Sequence, residues 1–213
     1  MRRLPIYLLI DVSGSMEGEP IEAVQKGIEN LVAELRKNPY ALETAYLSVI
    51  TFSSKAVVES ELTELMMFNA PKLQAYGLTS LGDGMRVLCQ QIESEVRVST
   101  MLQKGDWKPL VFIMTDGSPT DNWKFELDNF HNLKTGAVVA CGAGSSVDST
   151  VLLELTSNVV YLDTPDAASI SDFFKWVSAS IQVVSSKLDV SDTETNDLSQ
   201  LPPPPKGINL VKS

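Results

Sequence analysis

Asp11-Val12-Ser13-Gly14-Ser15 follows directly on an apolar run, and its alternate positions carry a carboxylate and two hydroxyls. In a tight loop those three oxygens share one side, with Gly14 easing the turn. Far along the chain, Thr79 precedes a segment of helical apolar spacing, and another apolar run ends on Thr115-Asp116-Gly117. Two carboxylates (Asp11, Asp116) and three hydroxyls (Ser13, Ser15, Thr79) make an all-oxygen donor set. Such a set suits a hard divalent cation, magnesium first, with manganese or calcium as alternatives. Zinc is a poor match, because His131 is the only histidine and Cys89 and Cys141 lie far apart with no CxxC spacing. Ser80, one residue beyond Thr79, is a rival hydroxyl. Turn and helix-cap chemistry explains Asp11 and Ser13 one at a time. It does not explain why two strand ends and a distant loop carry matching donors.

For the five donors to meet, the elements between them must bring three loops to one place. The run from Pro5 to Ile10 is continuous rather than alternating, the pattern of a central strand covered on both faces. Ile21, Val24, Ile28, Leu31, Val32 and Leu35 recur at helical spacing, and Asn38-Pro39 predicts the stop of that helix. Further strands are expected over 45–52, 56–59, 110–115, 137–141 and 159–162, and further helices over 81–96, 124–133, 149–155 and 170–184. This alternation predicts an α/β fold: a doubly wound, mostly parallel central sheet flanked by helices, with a short antiparallel edge strand. Ligands of open α/β sheets collect beyond the carboxyl ends of the strands, which is where Asp11 and Asp116 fall. Asp83 and Asp121 read as helix-end residues rather than ligands.

The chain has 213 residues, enough for one such domain with spare chain. Composition changes near Lys187, so the domain is expected over 1–186, followed by a polar, proline-containing tail over 187–213. Acids outnumber bases 27 to 17, for a net charge of −10. That charge repels phosphate backbones and anionic bilayers, so neither nucleic acid nor membrane is an expected partner. The apolar start is too short for a secretory signal, and no stretch approaches the ~18 apolar residues of a membrane span. With two isolated cysteines in apolar surroundings, the reading is a cytoplasmic protein with reduced thiols.

The Asp-x-Ser-x-Ser loop, the distant Thr79 and the Thr115-Asp116-Gly117 strand end resemble the metal-ion-dependent adhesion site of von Willebrand factor A domains. Longer strings are similar to the TerY-like branch of that family, bacterial proteins encoded with tellurium-resistance genes. They are Arg2-Arg3-Leu4-Pro5, Gly18-Glu19-Pro20-Ile21, Tyr40-Ala41-Leu42-Glu43-Thr44-Ala45-Tyr46 and Thr115-Asp116-Gly117-Ser118-Pro119-Thr120-Asp121. The resemblance implies that Ser13 and Ser15 bind the metal directly, Thr79 in the ligand-competent state, and Asp11 and Asp116 directly or through water.

It also implies a module without catalysis of its own, binding an Asp or Glu of a protein partner through the metal. The setting it implies is a tellurium-resistance and stress-response system with a PP2C-type phosphatase and a serine/threonine kinase. Met16, Glu17, Ser118, Asn122 and Trp123 flank the metal positions and are candidates for the rim that selects the partner. Trp123 reads equally as an interface anchor or as a buried core residue. Two alternatives remain: an adaptor for an AAA+ ATPase, and a magnesium-dependent phosphohydrolase with Asp11 as nucleophile. Against the phosphohydrolase, Ser13 stands where a second carboxylate would serve as acid and base, and no lysine-containing phosphate loop occurs.

Overall fold

Leu4–Asp11 forms β1, buried along its whole length, as a continuous apolar run requires of a strand covered on both faces. In the computed structural model, which describes residues 2–190, 202–203 and 208–212, β1 lies inside a seven-stranded sheet. The other strands are β2 (Ala45–Phe52), β3 (Ala56–Glu64), β4 (Leu110–Thr115), β5 (Ala137–Ala143), β6 (Asn158–Leu162) and β7 (Ile208–Lys212). Their order across the sheet is β3-β2-β1-β4-β5-β6-β7. The five central strands are parallel, while β3 and β7 run antiparallel at the two edges.

Helices cover both faces. On one side α1 (Glu19–Leu35), α2 (Pro39–Thr44) and α6 (Ala167–Val190) pack over Leu4, Ile6, Leu8 and Ile10 of β1. On the other, α3 (Leu81–Glu95), α4 (Lys124–His131) and α5 (Ser149–Leu155) cover Tyr7 and Leu9. The alternation of β1 side chains thus feeds two separate apolar layers. Among the described residues no helix is long and apolar enough to cross a membrane.

The doubly wound α/β sheet with an antiparallel edge is as the sequence predicts, with four local differences. Asn38 does not merely end α1: its Oδ1 accepts a hydrogen bond from Ala41 N at 3.0 Å and caps α2. Pro39 then takes the first helical position, where its missing N–H costs nothing. Strand β3 runs to Glu64 rather than stopping near residue 59, because an edge strand needs only backbone pairing with β2 and tolerates its polar stretch. Strand β7 lies where the sequence predicts only a polar, proline-containing tail. It pairs with the whole of β6, while the Trp176 indole N–H donates to the Pro202 carbonyl at 2.8 Å. Helix α6 passes through the composition change at Lys187 and ends at Val190.

The decisive feature for function is topological. From β1 the chain winds outward through β2 and β3, then crosses back to continue from β4 in the opposite direction. The carboxyl ends of β1 and β4 therefore sit side by side where the connections diverge, with Ile10 paired to Met114. Asp11 and Thr115-Asp116 occupy that crevice.

Candidate metal centre at the switch point

Asp11, the last residue of β1, is fully buried. One carboxylate oxygen accepts a hydrogen bond from Ser13 N at 2.8 Å and the other from Thr115 Oγ1 at 2.6 Å. The chain then makes a single 3₁₀ turn, Gly14–Met16, which holds the Ser13 and Ser15 Oγ atoms 3.0 Å apart. Ser15 Oγ in turn donates to Asp116 Oδ1 at 2.7 Å, so a continuous hydrogen-bond path joins Ser13, Ser15 and Asp116.

The third loop closes on the first two. Gly14 N donates to Gly77 O at 3.1 Å, and Tyr76 N to Val12 O at 2.8 Å. Thr79 is locked to the 117–122 loop from both sides: its N donates to Thr120 Oγ1 at 3.1 Å and its carbonyl accepts Thr120 N at 2.8 Å. A Cβ placed on Gly117 would lie 3.7 Å from Thr79 Oγ1 and 4.0 Å from Ser15 Oγ, so hydroxyls from two loops converge over that glycine. Ser80 faces elsewhere, its Oγ donating to Ser54 O at 3.4 Å. Of the two rival hydroxyls, Thr79 is the one turned to the cluster.

Burial pushes the Asp11 carboxyl above the ordinary carboxylate range; hydrogen bonds from Ser13 and Thr115 pull it back, and the nearby Asp116 charge adds to the rise. Burial likewise pushes Asp116 up, opposed by the Ser15 hydrogen bond. Two buried acids beside three hydroxyls form an oxygen-rich cluster suited to a hard divalent ion. Among the described residues no group of three or more His, Cys, Asp or Glu side chains could hold a metal, so any ion at this crevice would depend on the hydroxyls.

The expected rim divides. Glu17, Ser118 and Asn122 are exposed. Met16 and Trp123 are not, and their assignment to the rim is corrected. Met16 is fully buried because the 3₁₀ turn points it into the apolar layer beneath α1. Trp123 is 8% exposed and joins the opposite layer; its backbone packs so close that a Cβ on Gly82 would come within 2.7 Å of Trp123 Cα.

Several contributors carry no distinct signature in the sequence. Thr115 orients Asp11, and Thr120 braces Thr79. Asp121 reaches across to cap α3, accepting Gly82 N at 3.1 Å and Asp83 N at 3.0 Å. Tyr76 and Leu78 stand exposed beside Thr79, in a stretch without periodicity. Both cysteines are buried; burial raises the Cys89 thiol to about 11 and drives Cys141 up as well, so neither is a ready nucleophile.

A parallel sheet with paired strand-end acids and a Ser-x-Ser loop at its switch point defines the class, and the family model agrees. The chain belongs to the von Willebrand factor type A domain family, whose model matches residues 6–176. Domains of this family are generally metal-dependent protein-interaction modules and commonly bind a divalent metal. The chain is 30% identical over 148 residues to an uncharacterized protein of Synechocystis sp., covering 65% of this chain and 30% of that one. It is 25% identical over 153 residues to a von Willebrand factor A domain-containing protein of Dictyostelium discoideum, covering 70% and 16%. It therefore spans less than a third of either relative's length. Among solved structures, a von Willebrand factor type A protein from Catenulispora acidiphila superposes with a TM-score of 0.66 at 16% identity, over 85% of this chain and 43% of that one. The pilus adhesin SpaC from Lactobacillus rhamnosus GG gives 0.68 at 16% identity, over 86% and 31%. At that identity the structural likeness speaks to the fold alone.

Proposed function

We propose that this chain is a divalent-metal-dependent protein-interaction module, without catalysis of its own, that captures an acidic side chain of a partner. The observation that carries the reading is the meeting of Asp11 and Asp116 with the Ser13, Ser15 and Thr79 hydroxyls at the β1–β4 switch point. Those five residues would hold the ion, magnesium by preference, with manganese or calcium as substitutes. A bound cation supplies an electropositive position that accepts an outside carboxylate. The chain's own part is to fix the donors: Thr115 orients Asp11, Thr120 holds Thr79, and Asp121 secures the start of α3.

The TerY-like strings support a setting in bacterial tellurium resistance and stress response, with a PP2C-type phosphatase and a serine/threonine kinase as partners. The two unpaired, buried thiols support a cytoplasmic setting. A scaffolding role is supported by His131, the only histidine of the sequence, whose Nε2 is engaged with the Glu154 carbonyl at 2.8 Å.

Calorimetric titration with magnesium and manganese tests the metal. Wild type should bind either ion, and Asp11→Ala or Asp116→Ala should lose binding while keeping the wild-type far-ultraviolet circular dichroism. Capture of the purified phosphatase or kinase should then require magnesium and vanish in EDTA. Capture that persists in EDTA and in both variants would overturn the metal bridge.

A further inference from the structure

The strip from Tyr76 to Thr79 borders the five donors, and neighbouring loops clamp its backbone. Tyr76 N donates to Val12 O, Leu78 N to Ser54 Oγ at 3.0 Å and Thr79 N to Thr120 Oγ1, while Gly77 O and Thr79 O accept Gly14 N and Thr120 N. Such a strip is rigid backbone. On it, two large apolar side chains at alternate positions stand more than half exposed, Tyr76 at 52% and Leu78 at 59%. Neither belongs to the two apolar layers that hold the domain together. The rest of the exposed rim is polar or acidic: Glu17, Ser118 and Asn122.

We propose that Tyr76 and Leu78 form an apolar shelf that selects partners whose metal-seeking Asp or Glu is flanked by a large apolar side chain; this rests on the metal-dependent reading above. The two parts of the surface do different work. Asp11, Asp116 and Glu17 repel an incoming carboxylate unless a cation intervenes, so the acid confers dependence on metal. A cation reads charge alone, however, and every protein surface offers many carboxylates. Discrimination has to come from the border, where Tyr76 and Leu78 stand exposed on the strip that also carries the donor Thr79. Because the strip is already fixed by hydrogen bonds, burying the shelf costs little ordering entropy. Single exposed apolar residues on a surface are ordinary; two on one clamped strip that ends on the donor Thr79 place apolar surface next to the crevice.

The test uses two synthetic heptapeptides, one with a glutamate between two leucines and one with serines in place of those leucines. Binding is followed by nuclear magnetic resonance titration in magnesium, and metal affinity is measured separately with manganese alone. The leucine-flanked peptide should bind wild type about tenfold more tightly, the gain expected from covering one aliphatic side chain. That preference should fall to near parity in Leu78→Ser and in Tyr76→Ser, with manganese affinity unchanged. Equal binding of the two peptides by metal-loaded wild type overturns the shelf, as does a preference that survives the double variant. Absence of manganese binding overturns the metal reading itself, and the shelf with it.

Discussion

Thr115 Oγ1 donates a 2.6 Å hydrogen bond to Asp11 Oδ2, tying the carboxyl end of β4 to that of β1 across the switch point. Thr115 is buried, so the bond is made away from water, where an acceptor left without its donor is costly. Thr115→Val keeps the shape and removes the donor. Expected is a loss of about 1–3 kcal/mol in stability, measured by urea unfolding in EDTA. Magnesium affinity should also fall, because Asp11 loses a bond that fixes its orientation. An unchanged affinity would show that Asp11 needs no such support.

The raised carboxyls of Asp11 and Asp116 make stability and metal binding move in opposite directions with pH. Each acid holds its proton more tightly folded than unfolded, so the metal-free protein loses stability as pH rises from the ordinary carboxylate range through the raised folded values. A cation favours the ionised forms, so the rise in Tm on adding magnesium should grow across that same window. Thermal melts at intervals from pH 4.5 to 7.5, in magnesium and in EDTA, check both signs. A magnesium effect that shrinks with rising pH would contradict the donor set.

How much of this was legible in the sequence depends on which physics wrote it. The strands show because parallel strands are buried on both faces and read as apolar runs, as Leu4–Asp11 and Leu110–Thr115 do. The five donors stand out because three types of oxygen-bearing residue sit at strand ends and a helix start. What could not be read is what depends on side chains meeting across the fold. Met16 and Trp123 look like rim residues from their sequence neighbours, yet the turn and the close packing at Gly82 send both inward. Tyr76 and Leu78 lie in a stretch with no period, so nothing local marks them as exposed. Strand β7 follows a polar, proline-containing stretch that reads as tail, and its pairing with β6 is a contact across the fold that no local pattern marks.

Asp121 separates support of the fold from support of the metal. Its carboxylate accepts two N–H groups in the first turn of α3, groups that no helical carbonyl can satisfy. Asp121→Ala should cost about 1–2 kcal/mol, seen as a Tm lowered by roughly 2–8 °C for a domain of this size. Asp121→Asn should recover most of the loss, since an amide oxygen still accepts. Manganese affinity should stay within about threefold of wild type in both, a change worth less than 1 kcal/mol. A loss as complete as that of Asp11→Ala would instead make Asp121 part of the metal's own shell.

Gly77 joins backbone conformation to the site. Its φ of +74 lies in the left-handed region, and a Cβ there would come within 2.4 Å of Ser54 Oγ. That oxygen also accepts the Leu78 N–H at 3.0 Å, so it cannot swing away without giving up a bond. Gly77→Ala should therefore cost about 1–2 kcal/mol from the left-handed backbone alone, with the crowding added to it. Because Gly77 O anchors Gly14 and Thr79 lies two residues on, the same change should weaken magnesium binding. Ser54→Ala in the same chain removes the crowding atom, together with its bond to Leu78 N, and leaves the backbone strain; Ser54→Ala alone measures the cost of that bond. The double variant is expected to regain part of the stability, measured by urea unfolding, and part of the metal affinity, measured by calorimetry. Complete recovery would place the whole effect in the Ser54 contact; no recovery would place it in the backbone, and only an intermediate result fits both features acting together.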